Sequence, residues 1–144
     1  MQATLTTTIV ELHIDDFEKA KSYYSQLGFK VVWQRQPEEK KGYLVMKKDD
    51  NTLRFWPGNE YMYQNSYFKN FPKNTKRGYG VEICIMFSEN IDEFYEKVKE
   101  TVNVVVPLRQ QPWGVKDFRI EDPFGYFLCI TEPFDVLNSE NAVS

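Results

Sequence analysis

One histidine, two cysteines and a scatter of carboxylates are the conventional reactive groups of this sequence. His13 closes a β-branched run, and Glu11 shares its parity on that run. No partner spacing makes this lone imidazole a base or a ligand, so it reads as structural or solvated. Cys84 and Cys129 each stand within an apolar strand-like run and read as reduced core thiols. Glu82 is a carboxylate between Val81 and Ile83. No nucleophile elbow, glycine-rich phosphate loop or zinc spacing is present. Aromatic rings are the larger chemical resource: eleven Phe, nine Tyr and three Trp make up 16% of the chain. So many rings predict that some line a pocket or a subunit seam, where flat side chains give contact area with little entropy to lose.

These groups need a frame. A chain of 144 residues, 42% hydrophobic and 27% charged, suits one globular domain with a real core. The formal charge is 18 minus 21, or −3, which disfavours nucleic acid and weakly favours a cationic or neutral ligand. Residues 1–12 lack a basic start and a long apolar run, and no stretch reaches the ~20 apolar residues of a membrane span. The expected compartment is cytoplasmic, with no membrane partner.

Thr7 to Ile14 alternates and is β-branched, predicting a first strand. Asp15 with Glu18 reads as a capping box, and Phe17, Ala20, Tyr24 and Leu27 form a helical stripe that stops at Gly28. Strands are then expected at Phe29–Gln36, Lys41–Lys48 and Thr52–Trp56. A long connection, 58–78, carries Tyr61, Tyr63, Tyr67, Phe68 and Phe71, with a short helical turn expected at Tyr67–Phe71. The pattern then repeats: a strand at Tyr79–Phe87, a cap at Asn90 with Glu93, and a helix carrying Ile91, Phe94 and Val98. Strands at Asn103–Arg109, Val115–Glu121 and Tyr126–Thr131 complete the second set. The expected architecture is α+β: two repeated βαβββ modules forming a curved mixed-sheet cup with helices on the outer face. The expected layout is one domain, 1–144, with module one at 7–57, the connecting loop at 58–78, module two at 79–133 and a polar tail at 134–144. Alternation turns Thr52, Arg54 and Trp56 to one face of their strand and Leu53 and Phe55 to the helix. It likewise turns Phe127, Cys129 and Thr131 to the inner face of the last strand.

The final hairpin carries a resemblance. Asp122-Pro123-Phe124-Gly125 joins its two runs, and Gln111-Pro112-Trp113-Gly114 leads into them. This string, with the module repeat, resembles the vicinal-oxygen-chelate superfamily of glyoxalases, extradiol dioxygenases and bleomycin-resistance proteins, closest to the bleomycin-resistance branch. The resemblance covers roughly residues 7 to 133 and implies the cup. Metal-dependent relatives hold a divalent cation there with His and Glu side chains. Those positions fall here on Ile9 (give or take one residue), Arg54 and Cys129, with the fourth ambiguous between Val81 and Ile83 around Glu82. No cofactor and no metal are therefore expected. In the branch, the residue matching Trp113 stacks a planar ligand. Its second stacking aromatic precedes the third strand, where this chain has Glu38-Glu39-Lys40-Lys41, leaving Tyr43 as the nearby substitute. Ile9 also replaces the branch's first-strand proline, so the resemblance does not carry bleomycin over. The expectation is a homodimeric, metal-free small-molecule binding protein. Its ligand-binding residues are expected to be Trp113, Trp56, Arg54, Tyr43, Trp33 and Glu82. The alternatives are a lyase- or dioxygenase-like enzyme using Glu82, Glu11 or His13, and a dimeric interaction module without a ligand.

Overall fold

The computed structural model describes residues 8–38, 41–57, 66–72 and 74–137. Thr7, Tyr61, Tyr63 and the end of the polar tail lie outside the described residues. The chain divides into two compact units, Met1–Asn74 and Thr75–Ser144.

In the first unit, β1 (Glu11–Ile14) leads into α1 (Phe17–Gln26), then β2 (Lys30–Glu38), β3 (Lys41–Lys48) and β4 (Asn51–Pro57). The sheet order is β1-β4-β3-β2, with β1 parallel to β4 and the other pairs antiparallel. The helix starts one residue later than its sequence signal. Asp16, not Asp15, is the N-cap, because its extended backbone lets the carboxylate accept from Lys19 N at 3.0 Å. Glu18 accordingly does not close a capping box on Asp15; it pairs with Lys21 Nζ at 2.9 Å. The helix ends at a Schellman motif: Gly28 N donates to Ser25 O and Phe29 N to Tyr24 O. Gly28 takes φ +97°, which a side chain would strain. Tyr24, fully buried, meets Phe29 and Phe55 at ring distances of 5.8 and 5.1 Å. Leu53 and Phe55 thus face the helix as alternation requires. Beyond β4, the expected helical turn is a 3-10 turn at Phe68–Asn70.

The second unit repeats the plan with β5 (Ile83–Met86), α2 (Ile91–Val98), β6 (Asn103–Gln110), β7 (Lys116–Glu121) and β8 (Phe127–Thr131), in sheet order β5-β8-β7-β6. Asn90 caps α2, its side-chain oxygen accepting from Glu93 N at 3.0 Å. Phe94 packs edge-on to Phe87 at 5.0 Å and reaches Phe118 at 6.3 Å. The strand expected from Tyr79 is confined to Ile83–Met86. Gly80 at φ +79° and turn bonds such as Val81 N to Gly78 O fold its first residues away from the ladder. The β7–β8 turn follows its residues: Gly125 takes φ +93°, and the Asp122 carboxylate accepts from Phe124 N and Tyr126 N at 2.9 and 2.8 Å.

The repeat extends to a defect. In module one the ladder slips between Val31, opposite Met46, and Trp33, opposite Val45. In module two it slips between Val104, opposite Ile120, and Val106, opposite Arg119. Each bulge reverses the parity of the strand beyond it. Two βαβββ modules, each a four-stranded mixed sheet with a helix packed on one face, are therefore the observed α+β fold. Among the described residues no helix is long and apolar enough to cross a membrane.

Candidate functional site

The open face of the first sheet carries two cross-strand rows. Ladder register places Arg35, Tyr43, Trp56 and His13 side by side in one row. The adjacent row is Trp33, Val45, Arg54 and Glu11. Trp33 reaches this face through the β2 bulge, since without the slip Val32 would stand opposite Val45.

The rows meet at Tyr43. Its ring lies 4.5 Å from that of Trp56 and 6.3 Å from that of Trp33. The Arg54 guanidinium carbon sits 3.8 Å from the Tyr43 centroid, and that of Arg35 sits 5.3 Å away. These are cation–π distances. Glu11 flanks Arg54, its carboxylate oxygen 3.4 Å from Arg54 Nε, although that nitrogen makes no aligned hydrogen bond. Above the rows opens a cavity of about 490 Å³, lined by Ile9, Trp33, Arg35, Tyr43, Val45 and Arg54 among others. That volume suits a small organic molecule. The expected residues Trp33, Tyr43 and Arg54 thus converge, with Trp56 against Tyr43. Arg35 was missed; its parity with Trp33 was an available signal, while its place opposite Tyr43 depends on the β2–β3 register.

His13 lies 5.8 Å from Phe68 by ring centroid and 4.0 Å from a Glu11 oxygen.

Trp113 and Glu82 belong to the second module. Trp113 is half-exposed in the turn before β7, which is tied by Gln111 N to Val115 O at 2.7 Å and Gly114 N to Gln111 O at 3.1 Å. Glu82 belongs to a polar network on the open face of the second sheet. Arg119 donates through Nε to Glu82 at 2.6 Å and through Nη1 to Asp117 at 3.0 Å. Asp117, almost wholly buried, also accepts from Gln111 Nε2 at 2.7 Å. Burial opposes the Arg119 charge, but its bond to Glu82 and the surrounding negative groups outweigh that and raise its pKa.

Register sets Arg119, Cys129 and Cys84 abreast beside this network, so Cys84 is exposed on the open face and is not the core thiol expected. Cys129 is buried. Burial pushes both thiols up, the Glu82 charge adding to the effect on Cys84, so both stay protonated near neutrality.

The donor atoms of Glu82, Cys84 and Cys129 lie within 4.8 Å of one another, a cluster that metal ions can use in principle. The group present does not fit the His-and-carboxylate set of metal-dependent relatives. Its one carboxylate is held by Arg119, and its sulfurs are protonated. In module one the corresponding position is the Arg54 guanidinium, stacked on Tyr43, and Ile9 offers no donor.

Paired βαβββ modules, with an aromatic open face on one sheet and a polar one on the other, define a class of fold. The chain belongs to the glyoxalase/bleomycin resistance protein/dioxygenase superfamily, whose family model matches residues 7–130. Among solved structures, a superfamily member from Sphaerobacter thermophilus DSM 20745 aligns with TM-score 0.63 and 21% identity, over 89% of this chain and 98% of that one. The bleomycin resistance determinant encoded on transposon Tn5 aligns with TM-score 0.58 and 18% identity, over 89% and 98% of the two chains. A bleomycin-binding protein complexed with bleomycin aligns with TM-score 0.56 and 19% identity, over 90% and 100%. At these identities the likeness is one of fold. No curated protein sequence matches the chain.

Proposed function

We propose that the protein is a metal-free, homodimeric, cytoplasmic binding protein that holds or sequesters a planar or amphipathic small molecule. The observation that carries this reading is the cavity of about 490 Å³ whose wall is Trp33, Tyr43 and two arginines. Stacking on such a wall supplies affinity without chemistry, and sequestration requires affinity and copy number only. The bleomycin-binding relative of the same fold supports the reading at the level of class. Trp56 backs Tyr43, and Trp113 and Glu82 are assigned to ligand contact on the second module. The dimer assignment rests on the superfamily resemblance and on exposed rings such as Tyr67 and Phe71.

A thermal-shift screen of planar compounds tests the reading, because a ligand of the native state raises the melting point. A hit whose shift disappears in Tyr43→Ala is the expected result. Hits that Tyr43→Ala leaves unaltered would overturn the site. Light scattering that gives a monomer at micromolar concentration would remove the dimer assignment.

A second reading, a lyase- or dioxygenase-like enzyme with a non-standard centre, has one observation in its favour: Glu82 beside two thiols. Elemental analysis separates the two. A stoichiometric metal in the purified protein would favour the enzyme.

A further inference from the structure

Resting on the module-one cavity as the binding site, we infer that its ligand is an aromatic anion: a fused or extended ring bearing a carboxylate, sulfonate or similar group. Among the described residues, both charged side chains lining the cavity, Arg35 and Arg54, are cationic, and no carboxylate lines it. One carboxylate, Glu11, lies beside Arg54. Among the described residues, two guanidiniums against one carboxylate give the pocket a net positive charge.

The two arginines differ in how they are committed. Arg54 is held over Tyr43 at 3.8 Å and flanked by Glu11. Arg35 is exposed, reaches Tyr43 at 5.3 Å and has no ion pair among the described residues. Arg35 therefore presents its guanidinium fork beside a stacking platform. A guanidinium fork recognises a planar oxyanion through two parallel hydrogen bonds, while the rings beside it take the aromatic body. A cationic ligand would meet uncompensated like charge at the same place. The overall charge of −3 points towards cations, yet at contact range the local arginines decide.

The test uses two fluorescent probes of similar shape, the anion 8-anilinonaphthalene-1-sulfonate and the neutral N-phenyl-1-naphthylamine, titrated into the full-length protein. The anion is expected to bind about tenfold tighter, the worth of one charged hydrogen-bonded contact. Arg35→Gln should remove that preference by weakening the anion alone, and Arg35→Lys should restore part of it. Added salt should weaken the anion and spare the neutral probe. Equal affinities, or an anion titration that Arg35→Gln does not alter, overturn the anion assignment while leaving the cavity as a binding site. Failure of both probes to bind overturns the cavity reading and this inference with it.

Discussion

The guanidinium of Arg54 lies 3.8 Å from the centre of the Tyr43 ring, on the sheet face opposite the one that packs on α1. The contact orders both side chains. Tyr43 gains a cation over its π-face, and Arg54 is fixed beside Glu11. It also sets a fixed positive charge on this sheet face, which works against a bound cation. By the resemblance, a guanidinium stands here at one of the positions where metal-dependent relatives carry a ligand.

Tyr43→Leu should therefore cost about 1–2 kcal/mol, since the ring supports Trp56, Trp33 and both arginines. Tyr43→Phe should be nearly neutral because it keeps the π-face. Urea unfolding of the two variants is the check. Equal losses would place the effect in the hydroxyl and contradict a stacking role.

Much of this could be read from the residues. The helical stripes, Gly28, the hairpin turn at Asp122–Gly125 and the alternation at Thr52–Trp56 each have a local cause, and the structure bears them out. Arg54 and Trp56 were legible as sharing one face because strand parity is local. The places where reading stopped depend on pairing between strands. The bulge that delivers Trp33 to the open face depends on how β2 meets β3. The Gln111–Asp117–Arg119–Glu82 network joins residues up to 37 apart in sequence. Cys84 looked like a core residue because its neighbours are apolar, but the pairing of β5 with β8 sets its parity.

Asp117 should be the most sensitive polar position of the second module. Removing its carboxylate leaves Arg119 and Gln111 short of a partner beside almost wholly buried groups. Asp117→Ala is expected to destabilise by about 2–3 kcal/mol. The contrast is Glu121→Ala. Its pair with Lys76 is solvent-exposed at the lysine and worth under about 1 kcal/mol. Matching denaturation curves for the two variants would show that the Asp117 network contributes no more than a surface pair.

The buried Cys129 thiol gives stability a pH dependence of definite sign. Burial, with the charges of Cys84 and Asp117 adding, pushes its pKa above the ordinary 9.0. In the unfolded chain the thiol ionises near 9.0, while the folded chain keeps the proton. The contribution is fully present below that value and is lost as pH rises beyond it, with a slope of at most about 1.4 kcal/mol per pH unit. Cys129→Ser should flatten this alkaline decline. Chemical denaturation at pH ~8, ~9 and ~10 reads it out directly, and identical slopes in both proteins would exclude the thiol as the source.

No stoichiometric metal is expected in the purified protein, because protonated sulfurs, an engaged Glu82 and Arg54 compete against a cation. Mass spectrometry of protein purified without chelator should find only trace zinc, manganese, nickel or iron. One equivalent of any of them per chain would defeat the metal-free assignment.

Trp113 offers the clearest separation of contact from support. The residue is 37% exposed, and its backbone turn is held by bonds from Gln111 N and Gly114 N that need no indole. Gly114 at φ +95° has open space where a Cβ would stand, so a ring can approach closely there. Trp113→Ala should accordingly leave the melting point within a few degrees of the parent, unlike Phe55→Ala. The Phe55 side chain is fully buried against Tyr24, and its loss should cost about 3–5 kcal/mol. If Trp113 stacks the ligand, as proposed, the variant should bind a confirmed hit several-fold more weakly while folding normally, since one stack adds about 0.5–1.5 kcal/mol beyond buried area. Unchanged affinity would remove Trp113 from the site. A variant that folds but no longer dimerises would instead place the ring at a subunit seam.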